Sequence, residues 1–283
     1  MNFANQILDL LNRRLDGTPV PPVRALHLPS TLAPSDSKDA EFCALELADG
    51  SLGLSYVLLD DTLTQLGALD RLALAGADPF AIARAFAVGA GVRRTLGFAA
   101  VNALSRHWFD RVGYVPPKTG NSIGLLDPQP GDHIGMIGLF RGLTGQILAT
   151  GARLTVVELK PELAGERDGY RVTLDASELA GCNKILSTST ILLNDTLDRM
   201  LDFGHHAERF AMIGPGAGCL PEPLFARGVT LLGGAWIDDR DGFLAALARG
   251  EPWGRFTRKF AIQRESYQAL NFPPGSPRAR GVG

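Results

Sequence analysis

The sequence predicts an α/β fold in which a smaller α+β part precedes a doubly wound parallel sheet. The main observation is the stretch from His133 to Glu158, which reads as a strand, a glycine-containing turn, a helix and a second strand. Later short apolar runs, each followed by Gly, Ser or Thr, continue this alternation, whereas the first 112 residues contain a hairpin pattern and long helical stretches. Doubly wound sheets bind ligands beyond the carboxyl ends of their strands, so we expect a site there.

Composition limits the classes of protein. A chain of 283 residues with 45% hydrophobic and 20% charged residues is typical of a globular protein with one large or two ordinary domains. A formal charge of −2 gives no electrostatic reason to expect nucleic acid or an anionic membrane as a partner. Three widely spaced cysteines fit a reducing compartment. Since no signal-like start and no run of 18 apolar residues is present, we expect a cytoplasmic location.

The first elements are an amphipathic helix and a hairpin. Apolar residues at helical spacing predict a helix over Asn2–Arg14, followed by an irregular connection with one strand over Val23–Leu28. Two apolar runs, Phe42–Leu47 and Leu52–Leu59, are separated by an Asp-Gly pair, which favours a hairpin loop. An antiparallel pair of strands is therefore expected.

Helices follow the hairpin. The pattern predicts helices over Asp60–Leu74, after the cap at Asp78 with Pro79, and over Val92–Arg111. Asn102 lies among small apolar residues in the last of these. A buried amide needs partners, so Asn102 either bonds the backbone of a neighbouring element or contacts a ligand.

A proline- and glycine-rich stretch between Gly113 and Asp132 is the best domain boundary in the chain. The predicted domains are an α+β domain over residues 1–115, an α/β domain over 116–270 and a flexible tail over 271–283.

The α/β half begins with an incomplete dinucleotide-binding pattern. The apolar run Ile134–Ile137 predicts a buried strand, Thr144–Thr150 a helix, and Leu154–Val157 a second strand. The glycines after the first strand do not have the G-x-G-x-x-G spacing. Glu158 stands about where a ribose-binding carboxylate would, roughly 20 residues after the turn, although solubility alone also places charges after strands.

The remaining pattern continues with strands that end in polar turns. Predicted elements are a minor strand over Tyr170–Leu174, strands over Cys182–Leu186, Phe210–Ile213 and, as the last, Val229–Leu232, and helices from the Asn194–Thr196 cap through Phe203 and over Asp238–Leu247. At one sheet edge the turns would bring together Phe140, Arg141, Glu158, residues 187–190, residues 214–218 and Gly233. We expect a polar, nearly uncharged crevice with Arg141 as its countercharge, although each residue alone is also an ordinary turn former.

Four segments, in this order, resemble a bacterial and archaeal family labelled putative heavy-metal chelation: LGFAAVNAL, IGMIGLFRGL, STSTILLNDTLDRML and MIGPGAGCLPEPLFARGVTLLGGAWIDD. The resemblance covers most of the chain from the hairpin to the last helix. It implies an enolase N-terminal-like domain, then a Rossmann-like domain, with a site between them.

The resemblance also implies site residues by position. With Arg141 and Glu158 from the strand-end argument, the candidate ligand-binding set is Asn102, Gly138, Phe140, Arg141, Glu158, Ser187, Thr188, Thr190, Asn194, Thr196, Gly214 and Pro215. This chain departs from the family at two positions: the family usually has Gly where Ser187 stands, and Ser where Gly216 stands. A member with these changes is expected to bind something different or nothing.

No metal site made by the protein alone is predicted. Soft or borderline metals need thiolate and imidazole ligands at close spacing. His205 and His206 are adjacent, so we expect their side chains to diverge, and Cys182 and Cys219 belong to different segments, although Cys219 could approach the hydroxyl-rich turn.

Three hypotheses follow for function. In the first, the chain binds or processes a small chelating or metal-complexed metabolite in the crevice, as part of metal homeostasis, with a chelated transition metal as the implied cofactor. In the second, it is a nucleotide-dependent enzyme using S-adenosylmethionine or a nicotinamide cofactor. In the third, it is a non-catalytic sensor. The expected partner is a small molecule, and the many apolar helices are compatible with a homodimer.

Overall fold

The computed structural model describes residues 2–30, 40–120, 123 and 125–267. Its helices are Phe3–Leu15 (α1), Thr62–Ala68 (α2), Pro79–Ala83 (α3), Ala85–Val88 (α4), Gly91–Arg111 (α5), Arg141–Leu148 (α6), Leu197–Phe203 (α7), Glu222–Phe225 (α8) and Arg240–Arg249 (α9). Its strands are Val23–His27 (β1), Phe42–Leu47 (β2), Leu52–Tyr56 (β3), His133–Ile137 (β4), Arg153–Val157 (β5), Gly165–Arg167 (β6), Tyr170–Thr173 (β7), Lys184–Thr188 (β8), Arg209–Ile213 (β9), Leu231–Ile237 (β10) and Thr257–Gln263 (β11).

The N-terminal part is an antiparallel sheet packed on a long helix. β1, β2 and β3 are neighbours in that order, and the predicted hairpin is confirmed, with Gly50 in its loop at φ +91°. β3 approaches α5 so closely that a Cβ built at Gly53 would lie 2.1 Å from the carbonyl oxygen of Ala99. Only glycine permits this separation, so the sequence at Gly53 sets how deeply α5 lies against the sheet.

The second part is a sheet of eight strands in the order β11-β10-β9-β8-β4-β5-β7-β6. The strands from β10 to β7 pair in parallel, and the two edge strands pair antiparallel. The chain runs outward from β4 through β5 to β7 and then in the opposite direction from β8 to β10. The predicted doubly wound fold is therefore confirmed, and its topological switch point lies between β4 and β8.

The crossovers leave the two faces of this sheet unequally covered. Ile147 of α6 packs on one face, in a cluster with Ile134, Leu154 and other strand residues. Met200 of α7 and Leu224 of α8 pack on the other face. Right-handed crossovers that run in opposite directions from a switch point place their helices on opposite faces, so this division follows from the strand order.

Both parts of the chain share one apolar core. The largest cluster of buried side chains contains Leu11 of α1, Leu45 of β2 and Leu104 of α5 together with Met212 and Leu232 of the large sheet. A buried carboxylate adds a polar link: Glu46 of β2 is ion-paired with Arg240 of α9 and bonded to His27 at 2.8 Å.

The structure corrects several predicted boundaries. β10 continues to Ile237, so Gly233 lies inside a strand, and β11 follows it where no strand was expected. Ser187 and Thr188 belong to β8, and α6 begins at Arg141 instead of Thr144. The helix predicted over Asp60–Leu74 ends at Ala68 and is followed by a 3₁₀ turn over Leu72–Leu74. The Gly233–Gly234 pair has the pattern of a strand end, but β10 continues through it and stays paired with β11.

No helix in the described ranges is long and apolar enough to cross a membrane. The predicted tail, residues 271–283, lies outside the described residues.

Candidate functional site

Asn102 joins the two parts of the chain. It lies in α5 with 2% of its surface exposed, and its Nδ2 donates to the carbonyl oxygens of Leu54 at 2.7 Å and Gly216 at 2.9 Å. Its Oδ1 is buried and has no hydrogen-bond partner among the described residues. A cavity of about 30 Å³, room for one or two waters, lies beside it and beside Gly218. The Nδ2 of Asn102 is therefore bonded to the backbone of two neighbouring segments, while its buried Oδ1 could still accept a hydrogen bond.

The glycine-rich turn after β9 lies against β3 and the segment after β8. A Cβ built at Gly214, which has φ +147°, would come within 2.4 Å of Ser189 Oγ, and one at Gly216 would lie 3.8 Å from Ser189 Oγ, from Leu54 O and from the ring of Phe42. The turn is thus held between the N-terminal sheet and the hydroxyl-rich segment. Position 216 is one of the two at which the chain departs from the resembled family, and a serine there would add a hydroxyl at this junction.

Gly138 and Thr188 meet at the switch point. Gly138 has φ +80°, and a Cβ there would lie 3.0 Å from Thr188 Cγ2. The Thr188 hydroxyl lies 3.1 Å from that of Thr190 and accepts the Thr190 amide at 3.2 Å, so the two hydroxyls form a local pair. These three predicted residues are brought together at the edge where doubly wound folds bind ligands.

Glu158 closes the turn after β4. Its Oε1 accepts the amide of Leu139 at 2.7 Å and its Oε2 accepts the amide of Leu159 at 3.1 Å. The amide of Phe140 points to the sulfur of Met136 at 3.4 Å. In a dinucleotide site these first amides would face a phosphate. Here a carboxylate takes that place, so the turn carries negative charge and its amides already have partners.

Tyr56, which the sequence argument missed, stands at the end of β3 opposite these strand ends. Burial raises its pKa above 10, and the nearby carboxylates of Glu41 and Glu158 raise it further. Its ring packs edge-on against Phe42, with centroids 5.6 Å apart. Tyr56 therefore stays a neutral phenol near neutral pH. We call the region around Tyr56, Gly138, Glu158 and Thr188, together with the buried residues Ser189 and Gly216 beneath it, the crevice. With two carboxylates beside it, the crevice is more acidic than the nearly uncharged site expected from sequence.

Other predicted residues lie away from the crevice. Ser187 is fully buried in β8, where its hydroxyl donates to the carbonyl of Thr188 at 3.1 Å. Asn194 Oδ1 accepts the hydroxyl of Thr196 at 2.6 Å in the turn that begins α7. The side chain of Arg141 is exposed at the first position of α6, so the structure does not make it a buried countercharge.

Three of the predicted residues face a second surface. Phe140, Gly214 and Pro215 line a groove of about 590 Å³ on the face of the large sheet that carries α6. The candidate residues from sequence are therefore spread over the crevice, this groove and other positions in the fold.

The described residues offer few metal ligands. They contain no group of three or more His, Cys, Asp or Glu side chains that could hold an ion. Burial raises the pKa of all three thiols, to about 12 for Cys43, about 11 for Cys182 and about 12 for Cys219, and such thiols are poor metal ligands. The expected divergence of His205 and His206 is wrong, because their rings lie 3.7 Å apart. His205 Nδ1 is bonded to the carbonyl of Asp202, as part of a helix end.

The strand ends of the large sheet can be located from the sequence, but the residues of the N-terminal sheet that lie opposite them cannot. Tyr56 carries no motif, and the one signal was its position at the end of a predicted hairpin strand. Ser189 was visible only as part of a hydroxyl-rich run.

The family match and two solved structures point to the same family. Residues 121–265 match DUF364, described as putative heavy-metal chelation. An uncharacterized protein of Methanocaldococcus jannaschii is 31% identical over 160 residues, which span 55% of this chain and only 59% of that relative. A DUF364 protein of unknown function from Desulfitobacterium hafniense has a TM-score of 0.66 and 20% identity, covering 92% of this chain and 99% of its own.

A second solved structure of the same kind, from Pyrococcus horikoshii, has a TM-score of 0.63 and 18% identity and covers 92% of this chain and 98% of its own. At these identities the two structures support the fold alone. The family match spans just over half of the 283 residues and includes the strand ends of the switch point. The chain is therefore a member of the putative heavy-metal chelation family.

Proposed function

We propose that the crevice binds a small chelating metabolite in its metal-complexed, cationic form. The main support for this proposal is the pair of carboxylates Glu41 and Glu158, which lie close enough to Tyr56 at the switch point to raise the pKa of its phenol. Negative charge in a partly buried site favours a positively charged ligand. A phosphate-bearing nucleotide would instead meet repulsion where its phosphate should lie.

The chemistry of the described side chains supports a complex over a bare ion. The crevice offers one phenol, the hydroxyls of Thr188 and Ser189 and the carboxylate of Glu158, which already accepts two amides. Hydroxyls and a phenol recognise a ligand through hydrogen bonds, whereas a transition metal needs several imidazole, thiolate or carboxylate donors. The small molecule would therefore supply most of the metal's donors.

Native mass spectrometry with elemental analysis, on protein purified without chelators, is the first test. A small molecule bound together with a stoichiometric metal is the expected result. A metal bound with no accompanying molecule would refute the proposal, because the protein alone would then be the chelator.

Calorimetry with defined complexes then tests the charge argument. Nickel(II) bound to triethylenetetramine is a cation, and nickel(II) bound to EDTA is an anion of similar size. The cationic complex should bind more tightly, and Glu158→Gln should weaken it about tenfold, since the loss of a charge near a partly buried ligand costs of order 1 kcal/mol. Glu162→Gln, in an exposed turn, is the matched control. Equal affinity for both complexes would count against the proposal.

A further inference from the structure

Polar side chains of α5 bond the backbone of loops that follow strands of the large sheet. Asn102 holds the turn after β9, and about one helical turn later the hydroxyl of Ser105 accepts the amide of Leu220 at 3.2 Å. About two turns before Asn102, Arg94 donates to the carbonyl oxygen of Leu192 at 3.1 Å, in the loop after β8. One helix of the N-terminal part therefore holds the loops after both β8 and β9.

Arg94 makes three contacts through its guanidinium group. Its Nη2 donates to Leu192 O, its Nη1 lies 2.7 Å from Oδ1 of Asp195, and its Cζ lies over the ring of Phe86, 5.0 Å from the centroid. The side chain is 14% exposed. Because a guanidinium is planar and carries a fork of donors, one side chain can bond a carbonyl and a carboxylate while its face lies on a ring.

The loop that Arg94 holds is the one that carries the paired hydroxyls. A 3₁₀ helix, Ser189–Leu192, begins directly after β8. The carbonyl oxygen of Thr190 accepts the amides of Leu193 at 2.9 Å and Asn194 at 3.3 Å, and the Thr190 amide and hydroxyl are both bonded to the hydroxyl of Thr188. The position of the end of this loop is therefore transmitted to the hydroxyl pair through a short series of hydrogen bonds.

The end of the loop has an unusual backbone. Asp195 has φ +59°, a conformation that residues other than glycine seldom adopt. Its side chain is 74% exposed, so burial does not hold it in place. The ion pair with Arg94 connects this residue to α5, and such backbone conformations persist where surrounding contacts fix them.

We infer that Arg94 is a positioning residue for the crevice: it fixes the loop from Leu192 to Asp195 and thereby the hydroxyls of Thr188 and Thr190 that face the ligand. Its effect on ligand binding rests on the proposed function, whereas its hold on the loop does not. Arg94 itself does not contact the ligand.

Hydrogen–deuterium exchange of the full chain, followed by mass spectrometry, tests the hold on the loop without any ligand. Arg94→Met keeps an unbranched apolar stem against Phe86 and removes both polar contacts. The amides of Leu193 and Asn194 should then exchange about tenfold faster, which is the effect expected for the loss of a hydrogen bond from a charged donor, while β8 and β9 exchange as before. Arg93→Met, an exposed neighbour in the same helical turn, is the matched control and should change nothing.

Arg94→Lys separates the charge from the fork. An ammonium group can pair with Asp195 or bond Leu192 O without reproducing the planar geometry, so exchange should be only about two- to fivefold faster than in the wild type. Thermal melts establish that each variant is folded. If the methionine variant does not fold, the lysine variant decides.

Calorimetry with the nickel(II)–triethylenetetramine complex then tests the role in binding. We expect Arg94→Met to bind this cation about tenfold more weakly than the wild type and Arg94→Lys to recover part of the loss. Saturating complex should also slow the exchange of the same loop amides in Arg94→Met, which a contact with no role in the site would not do.

The outcomes distinguish this inference from the proposed function. A wild-type chain that does not bind the complex would refute the proposed function, and the exchange rates alone would then decide this inference. Loop exchange that is unchanged in the folded Arg94 variants overturns the inference. It is also overturned if the wild type binds the complex and both Arg94 variants bind it equally well.

Discussion

Replacing Asn102 with alanine tests the link between the two parts of the chain. The side chain donates two hydrogen bonds, to Leu54 O and Gly216 O, at 2.7 and 2.9 Å. Both acceptors belong to buried residues, so alanine would leave two carbonyls without these donors. A buried hydrogen bond contributes about 1 kcal/mol net, and an unsatisfied buried group costs about 1–3 kcal/mol.

We therefore expect Asn102→Ala to lower the free energy of unfolding by about 2–4 kcal/mol. The loss of stability should lie toward the lower end of this range, because Oδ1 of Asn102 has no hydrogen-bond partner among the described residues and removing this buried acceptor is itself favourable. Asn102→Asp should be at least as damaging at neutral pH, because a carboxylate cannot donate to either carbonyl. Its buried carboxyl should have a raised pKa, so the stability of this variant should increase as the pH falls and the group becomes protonated.

Urea unfolding followed by circular dichroism measures these changes. Asn5→Ala, on the exposed surface of α1, is the matched control and should change stability by less than about 0.5 kcal/mol. A loss below about 1 kcal/mol for Asn102→Ala, with an unchanged m-value, would refute the view that these two bonds hold the turn against β3.

Three other predictions follow from single contacts. Gly53→Ala should cost at least about 3 kcal/mol in urea unfolding, because its Cβ would meet the backbone of Ala99 at 2.1 Å; a loss under 1 kcal/mol would show that β3 can move away. Burial raises the pKa of Asp132, but hydrogen bonds from Lys184 and two neighbours outweigh it and lower the pKa to about 2, so its contribution to stability is present above 3.8 and lost as the pH falls toward about 2. Asp132→Asn should flatten this acid dependence, and an identical acid titration would contradict the assignment. Burial raises the pKa of the three cysteine thiols, Cys43, Cys182 and Cys219, so Ellman's reagent at pH 8 should label the native chain far more slowly than the urea-unfolded chain. Rapid labelling of the native chain would contradict the burial of these thiols.

Much of the fold could be predicted because its strongest signals are local. Short apolar runs without charge indicated β4, β5 and β9, and an Asp-Gly pair indicated the hairpin. β11 was missed because its sequence, TRKFAIQ, mixes charges with a short apolar core that is typical of an edge strand. The site was less predictable, since the partners of the switch point, Tyr56 and Glu41, come from a sheet that no local pattern places opposite it.

The hydrogen-bond partners of Glu158 were not predictable from the sequence either. The sequence placed a carboxylate at the right strand end, and the structure keeps it there, but its oxygens bind the amides of Leu139 and Leu159. Position along the chain indicated the location of the group and could not indicate its partners. Ser187 likewise lies at the predicted strand end, yet the pleat turns its side chain into the core.

The depth at which α5 is buried has a thermodynamic consequence. Because this helix contributes to a single core with both sheets, neither part retains its apolar contacts when the other opens. The chain should therefore unfold in one cooperative transition despite the proline-rich connection in its middle. Any molecule that binds the native crevice would then raise the melting temperature of the whole chain. Thermal unfolding followed by tryptophan fluorescence should therefore report binding in the crevice, although no tryptophan belongs to it.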